Sequence, residues 1–283
     1  MATSRVRPGQ LALVALVVLV SGCSPAPGET PQTGPDPTAV VAPRAPTGPV
    51  GRIRGVVRFA GPQPEPASDP ITENQDVCGA SASLPRLSLG DERGARHAFV
   101  YLRDAPGDGA RLPAAPVLID QTGCEYVPHA LTVPLGTALD VVNSDAILHN
   151  VHGHMETAAG RRTVFNVAQP VQGQQTTLPV LTEPGIVHLT CEAGHPWMSA
   201  YVFVADHPYV TVTGDDGEFV LDDVPVGTHQ LTMWHEGIRL ERNLKSLQRY
   251  EYEGPYERTR EVVVTEGAET VVEIELSLRA LAP

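Results

Sequence analysis

An all-β fold made of two sandwiches is what this sequence predicts, on three observations. From Val50 onward, strand-like runs recur between turn signals: "GRIRGVVRF", "HAFVYL", "ALTVPLGTALDVVN", "ILHNVH", "TTLPVL", "GIVHLTC" and "SAYVFVAD". Short strands at such intervals build antiparallel sandwiches or barrels. A second series begins near His207, where "YVTVT" and "EFVLDDV" flank the turn "GDDG" (Gly214–Gly217) and "REVVVTEGAETVVEIELSL" closes a hairpin. Helical spacing is confined to residues 237–257, where Leu240, Leu244 and Leu247 predict one short helix.

Taken in order, the first 23 residues read as an export signal. Arg5 and Arg7 precede the apolar run Leu11–Val20, which is too short to cross a bilayer comfortably and suits a secretory signal. The ending "VSGC" resembles the bacterial lipoprotein box, which implies that Cys23 is lipidated and becomes the mature N-terminus. Residues 24–50 are rich in Pro, Thr and Gly and form a disordered or extended tether. The expected localisation is extracytoplasmic, in the periplasm or at the cell surface, with the membrane engaged through the anchor only.

Residues 51–206 are assigned to the first sandwich and 207–283 to the second, with 60–95 and 103–116 as Pro/Gly-rich loops. The stretch "DDGEFVLDDVPVGTHQLTMWHEG" resembles the carboxypeptidase regulatory-like domain, a small transthyretin-like sandwich. The resemblance implies an accessory module, and no peptidase motif accompanies it.

The chain has 283 residues with 33 acidic against 20 basic, a net charge of -13. Phosphates would be repelled, so nucleic acid is excluded as a partner, and no basic patch is available for anionic lipid.

The chemistry sits in two stretches. In "TCEAGHPWMSAYVFV", Cys191, His195 and Met198 place a thiol, an imidazole and a thioether on one turn. In "LDVVNSDAILHNVHGH", strand alternation puts His149 on the inward side with Val151, while Asn150, His152 and His154 face the other way, with both histidines mostly in solvent. The same alternation turns Val187, Leu189 and Cys191 inward and His188 outward. Two strands thus deliver metal-capable side chains to the core side, where either would be costly without a partner. Taken singly, each has an ordinary explanation: His149 as a core histidine, Met198 as a core filler, Cys191 in a disulfide, His195 as a loop residue. Together and in this order they point to a metal. A surface copper store at His152 and His154 is a weaker site than the buried one.

Here the sequence resembles the cupredoxins, the small blue-copper proteins, in "NSDAILHN" and in the Cys-His-Met loop; the likeness covers roughly residues 120–206. It implies a Greek-key sandwich holding one type 1 copper, with His149, Cys191 and His195 as in-plane ligands and Met198 as the weak axial one. That donor set suits copper cycling between Cu(I) and Cu(II). Asn150 would tie its strand to the ligand loop. "HPWM" resembles the amicyanin-like loop, although three residues separate Cys191 from His195 here and two do there. The terminal-oxidase dinuclear spacing also matches, but that site needs a second Cys where Val187 stands, so a mononuclear site follows.

With Cys191 as a ligand, Cys78 and Cys124 are expected to pair in the oxidising compartment. Closing a loop of that length contributes about 3–4 kcal/mol. The function these readings imply is one-electron transfer to a redox partner protein without catalysis, through the edge of His195 past Trp197. The competing reading is a non-redox surface binding or structural protein, with a copper-free cupredoxin fold and an adhesion or carbohydrate-binding second sandwich. A multicopper oxidase or nitrite reductase is rejected, because the chain has no His-Cys-His pair and too few such domains.

Overall fold

Alternation in a few strands decides the architecture. In Ser199–Ala205, Ala200, Val202 and Val204 point into one core while Tyr201, Phe203 and Ala205 point the opposite way, and nearly every residue is buried. In Phe99–Leu102, Val100 and Leu102 face one core and Phe99 and Tyr101 another environment. Strands apolar on both faces are sandwiched between two layers. The fold is all-β, as expected. It is a computed structural model that describes residues 48–84, 86–103, 105, 117–157, 160–244 and 249–278. The export signal with Cys23, the tether up to residue 47 and Leu247 lie outside the described residues. No helix among the described residues is long and apolar enough to cross a membrane.

One sandwich is built from residues 117–205. Its five-stranded sheet runs Gly160–Gln169, His149–Thr157, Gly185–Thr190, Ser199–Ala205, Ala130–Pro134. Its four-stranded sheet runs Gln174–Thr177, Leu139–Asn143, Val117–Thr122, Glu125–Val127. Parallel pairs, 199–205 with 130–134 and 117–122 with 139–143, sit among antiparallel ones, so the chain crosses between the layers. Ile119, Tyr126, Val133, Val141, Val151, Phe165, Leu189 and Val202 fill the space between the sheets.

The other sandwich corrects the expected boundaries. The strand Val50–Ala60 does not join the first sandwich. It lies between Glu218–Pro225, antiparallel, and Glu269–Ser277, parallel. Phe99–Leu102 likewise lies between Val210–Val212 and Gly227–His235, with Tyr256–Val264 completing that sheet. Ile53, Val57, Phe59, Val100 and Leu102 therefore share a core with Phe219, Leu231, Val262 and Ile274. The stretches around His149 and from Cys191 to Met198 are carried on an insertion within the second sandwich. Local alternation fixes which face of residues 50–60 is buried but says nothing about the strand beside it; that is settled by contacts more than 150 residues away in sequence.

Gly217 shows how closely this N-terminal strand is held. It sits at φ +75°, and a Cβ there would come within 2.3 Å of the Val57 carbonyl oxygen. Its own carbonyl accepts the Val57 N–H at 2.8 Å. Gly217→Ala is expected to destabilise the fold by about 1–3 kcal/mol, read as a lowered urea midpoint at unchanged slope. An unshifted midpoint would mean that strand 50–60 is not docked on this turn.

Residues 237–257 differ from expectation. In place of a helix, Leu240–Leu244 and Arg249–Tyr252 form an antiparallel hairpin. The guanidinium of Arg86 stacks on Tyr252, 3.8 Å from the ring centre, and the Tyr250 hydroxyl donates to Asp69. Tertiary anchoring of alternate residues outweighs the leucine spacing. The expected loop 60–95 also contains structure: Ala67–Pro70 pairs with Ser81–Leu84, and the short helix Gln75–Cys78 sits at the hairpin tip.

The two sandwiches meet through aromatic rings. Phe99 packs edge-on to Phe203 at 5.4 Å between centroids, and Tyr201 to Trp234 at 5.1 Å. Beside them the buried carboxylate of Glu236 joins His129 of one sandwich to Arg86, which lies 3.2 Å away. Burial alone would raise the Glu236 carboxyl. The facing His129, Arg86 and His235 side chains outweigh it and hold the carboxyl well below its ordinary value of 4.5. A depressed carboxylate contributes stability that is complete above its unfolded pKa and is lost as pH falls through the folded one. Stability is therefore expected to decline below about pH 4.5, and Glu236→Gln to lose that part of the acid dependence, measured by urea unfolding from pH 7 to 3. An unchanged acid limb in the variant would refute the assignment.

Candidate metal centre

His149 opens the strand 149–157, immediately after a turn fixed by side chains. The Asn143 amide donates to the carbonyls of Ile147 and Gln169, both at 2.8 Å, and its oxygen accepts the Asp145 N–H at 3.0 Å. Asp145 in turn accepts the N–H groups of Gly123 (2.8 Å) and Cys124 (2.9 Å) and contacts His149 Nε2 at 2.8 Å. Burial favours the neutral carboxyl, yet the donors from Cys124, His149 and Gly123 prevail and lower its pKa. An ionised carboxylate only accepts, so His149 Nε2 carries the proton and Nδ1 presents a lone pair.

That lone pair faces two other donors. His149 Nδ1 lies 3.2 Å from His195 Nδ1 and 3.9 Å from Cys191 Sγ, and Cys191 Sγ lies 3.6 Å from His195 Nδ1. All three residues are buried. Donors bound to one first-row ion at about 2.0–2.3 Å and spread around it stand roughly 3.2–3.8 Å apart, so the spacing is close to that of a single metal site. Burial pushes the Cys191 thiol up, and the Asn150 and Ala193 N–H groups pull against it. Burial, with the His149 ring beside it, lowers His195 to about 4, which keeps that imidazole neutral and able to ligate. Met198 is buried on the same turn, with its N–H donating to the His195 carbonyl at 3.0 Å.

Asn150 joins strand to loop. Its N–H points at Cys191 Sγ (3.5 Å), its side-chain oxygen accepts the Glu192 N–H, and its amide donates to Asn166 at 2.8 Å. Cys78 and Cys124 are disulfide-bonded with Cα atoms 5.0 Å apart, and Cys191 is free and buried.

Two expectations need correction. His195 has no open edge: it is 2% exposed, and its Nε2 faces the Asn74 amide at 3.5 Å. The disulfide sulfurs lie beside the same ring. Trp197 is partly buried and donates to the Cys124 carbonyl at 3.2 Å, so it packs against the disulfide-bearing turn. The 71–79 tip of the hairpin covers the site, and the one sequence signal for this cover is Cys78, whose pairing with Cys124 draws the tip inward. Second, His154 is buried and His152 largely so: their rings pack on each other, 3.7 Å between centres, with the Glu192 carboxylate beside His152.

No family model matches the chain, and no curated protein sequence matches it. Among solved structures, the chain is similar to a copper-containing nitrite reductase from Thermus scotoductus SA-01, with 23% identity and a TM-score of 0.28. That match covers 34% of this chain and 23% of the reductase, so the chain spans under a quarter of its length. A purple cupredoxin from Nitrosopumilus maritimus is similar at 26% identity and a TM-score of 0.27, over 31% of this chain and 99% of that one. Amicyanin from Paracoccus versutus is similar at 18% identity and a TM-score of 0.28, over 38% of this chain and 97% of that one.

Proposed function

We propose that the chain is a lipid-anchored, extracytoplasmic copper protein that carries single electrons at a mononuclear type 1 site and turns over no substrate. The observation that carries this reading is the convergence of His149 Nδ1, Cys191 Sγ and His195 Nδ1 in a buried pocket. Copper, when bound, supplies one-electron exchange between Cu(I) and Cu(II). The chain's own residues do the rest. Asp145 holds the His149 tautomer, Asn150 and Ala193 donate to the sulfur, and Pro196 stiffens the turn. Asn74 and the disulfide keep water from His195. Because burial favours the thiol, the metal must displace its proton, so binding is coupled to proton release.

The covered His195 changes the expected exit. A redox partner would meet the 71–79 cap, with the electron leaving by way of Asn74. The disulfide supports an oxidising compartment, and the anchor at Cys23 rests on the lipoprotein-like ending. The second sandwich, with its likeness to carboxypeptidase regulatory-like domains, is the accessory module that displays the inserted copper domain.

The test is a visible spectrum of copper-loaded protein together with N-terminal mass spectrometry of the membrane-bound form. An intense thiolate-to-copper band and a lipid-modified Cys23 are expected. Colourless copper-loaded protein would replace the electron carrier with the non-redox surface protein. A free N-terminus near residue 24 would remove the anchor.

A further inference from the structure

We propose a second metal site, on the opposite face of the same sheet, formed by His152, His154 and Glu192 and suited to a divalent ion of borderline softness such as zinc. The strand 149–157 turns His149 and Val151 inward and His152 and His154 outward. Across the ladder His152 pairs with Thr190 and His154 with His188, so Glu192, two residues beyond Thr190, comes up on that outward side. One potential donor atom from each of His152, His154 and Glu192 lies within 4.8 Å of the others. The two imidazoles lie 3.7 Å apart between ring centres.

The contact between His152 and Glu192 is placed to take a cation. His152 Nε2 is 2.9 Å from Thr163 Oγ1; in the tautomer in which Nε2 donates to that hydroxyl, Nδ1 presents a lone pair. That Nδ1 is buried and without a hydrogen-bond partner. It nevertheless stands 3.0 Å from Glu192 Oε2, a contact too poorly aligned for a hydrogen bond. Two electron-rich atoms facing each other are relieved by an ion between them. Arg161 and Arg249 face His154 and oppose a cation there, each partly offset by its ion pair, with Glu156 and Glu251 respectively. His188, the imidazole paired with His154 across the ladder, has both nitrogens engaged, by Arg161 and Ser199. Two imidazoles and a carboxylate are the three-ligand set that zinc takes with a water in the fourth position. Glu192 is 55% exposed in its side chain, which gives the ion a way in. The two sites are back to back, with Cys191 facing one and Glu192 the other.

The experiment is zinc loading of the whole protein, followed by metal analysis, titration calorimetry and an anomalous difference map at the zinc edge. Wild type is expected to take up two zinc ions, one at each site. His149→Ala should keep only the one at His152, His154 and Glu192. His154→Ala should keep only the other, with affinity at the second site falling about 100-fold or more; Glu192→Gln should weaken it roughly tenfold. His154→Gln guards against a folding defect, because its copper spectrum should be that of wild type. A map with no peak between His152, His154 and Glu192 at saturating zinc overturns the proposal and leaves an ordinary His152–Glu192 ion pair. So does zinc uptake that His154→Ala and His154→Gln leave unchanged. If the type 1 reading fails instead, the spectrum is colourless while His149→Ala still binds its one ion.

Discussion

Copper-loaded Cys191→Ser is expected to show no intense visible band. The thiol is buried, free of any disulfide and 3.6 Å from His195 Nδ1, and no other thiolate among the described residues can replace it. A serine hydroxyl at that position would stay protonated and would be a poor partner for Cu(I). Its loss should cost more affinity than the ~10–100-fold typical of removing a group that merely orients a ligand. Met198→Leu should behave differently: the band persists and the potential shifts, since the Met198 thioether would tune a bound copper without supplying the colour. The pair of results separates a type 1 site from adventitious copper. Cys191→Ser protein that binds copper with wild-type colour and affinity would sink the assignment.

Replacing both Cys78 and Cys124 with alanine is expected to have the second largest effect. The bridge spans 46 residues, and releasing a loop of that size frees the unfolded chain by about 3–4 kcal/mol. It also unfastens the 71–79 cap from the turn that bears Gly123 and Cys124, whose N–H groups hold Asp145 and through it His149. The urea midpoint should therefore fall, and His195, 2% exposed in the bridged protein, should become reactive towards an imidazole-modifying reagent. Lower stability with His195 still protected would show that packing by Asn74 and Trp197 covers the ring without the bridge. Unchanged stability would contradict the loop argument itself.

The cap shows where sequence reasoning reaches its limit. That Cys191 and His149 point inward follows from alternation, because successive side chains of a strand face opposite sides whatever lies beyond them. The turn "NSDAILHN" and the loop "CEAGHPWM" are local, so the donor types and their order were legible without coordinates. The covering of His195 was not, since Asn74 lies 121 residues from it in sequence and nothing near Asn74 marks the contact. His154 is the same case: its outward direction is a local fact, but whether outward means solvent depends on what packs against the side chain, and here His154 is buried.

By itself, then, the sequence determined an all-β chain and the inward direction of His149 and Cys191. Only the tertiary structure decided that strand 50–60 sits between 218–225 and 269–277, that 240–244 pairs with 249–252, and that the donor turn lies under a cap. The physical reason is one of range. Side-chain direction is set by covalent geometry and repeats every two residues, so it can be read from a short window. Strand partners, and the burial of an outward face, are set by contacts between segments more than a hundred residues apart, where several arrangements satisfy the same local pattern and packing selects one.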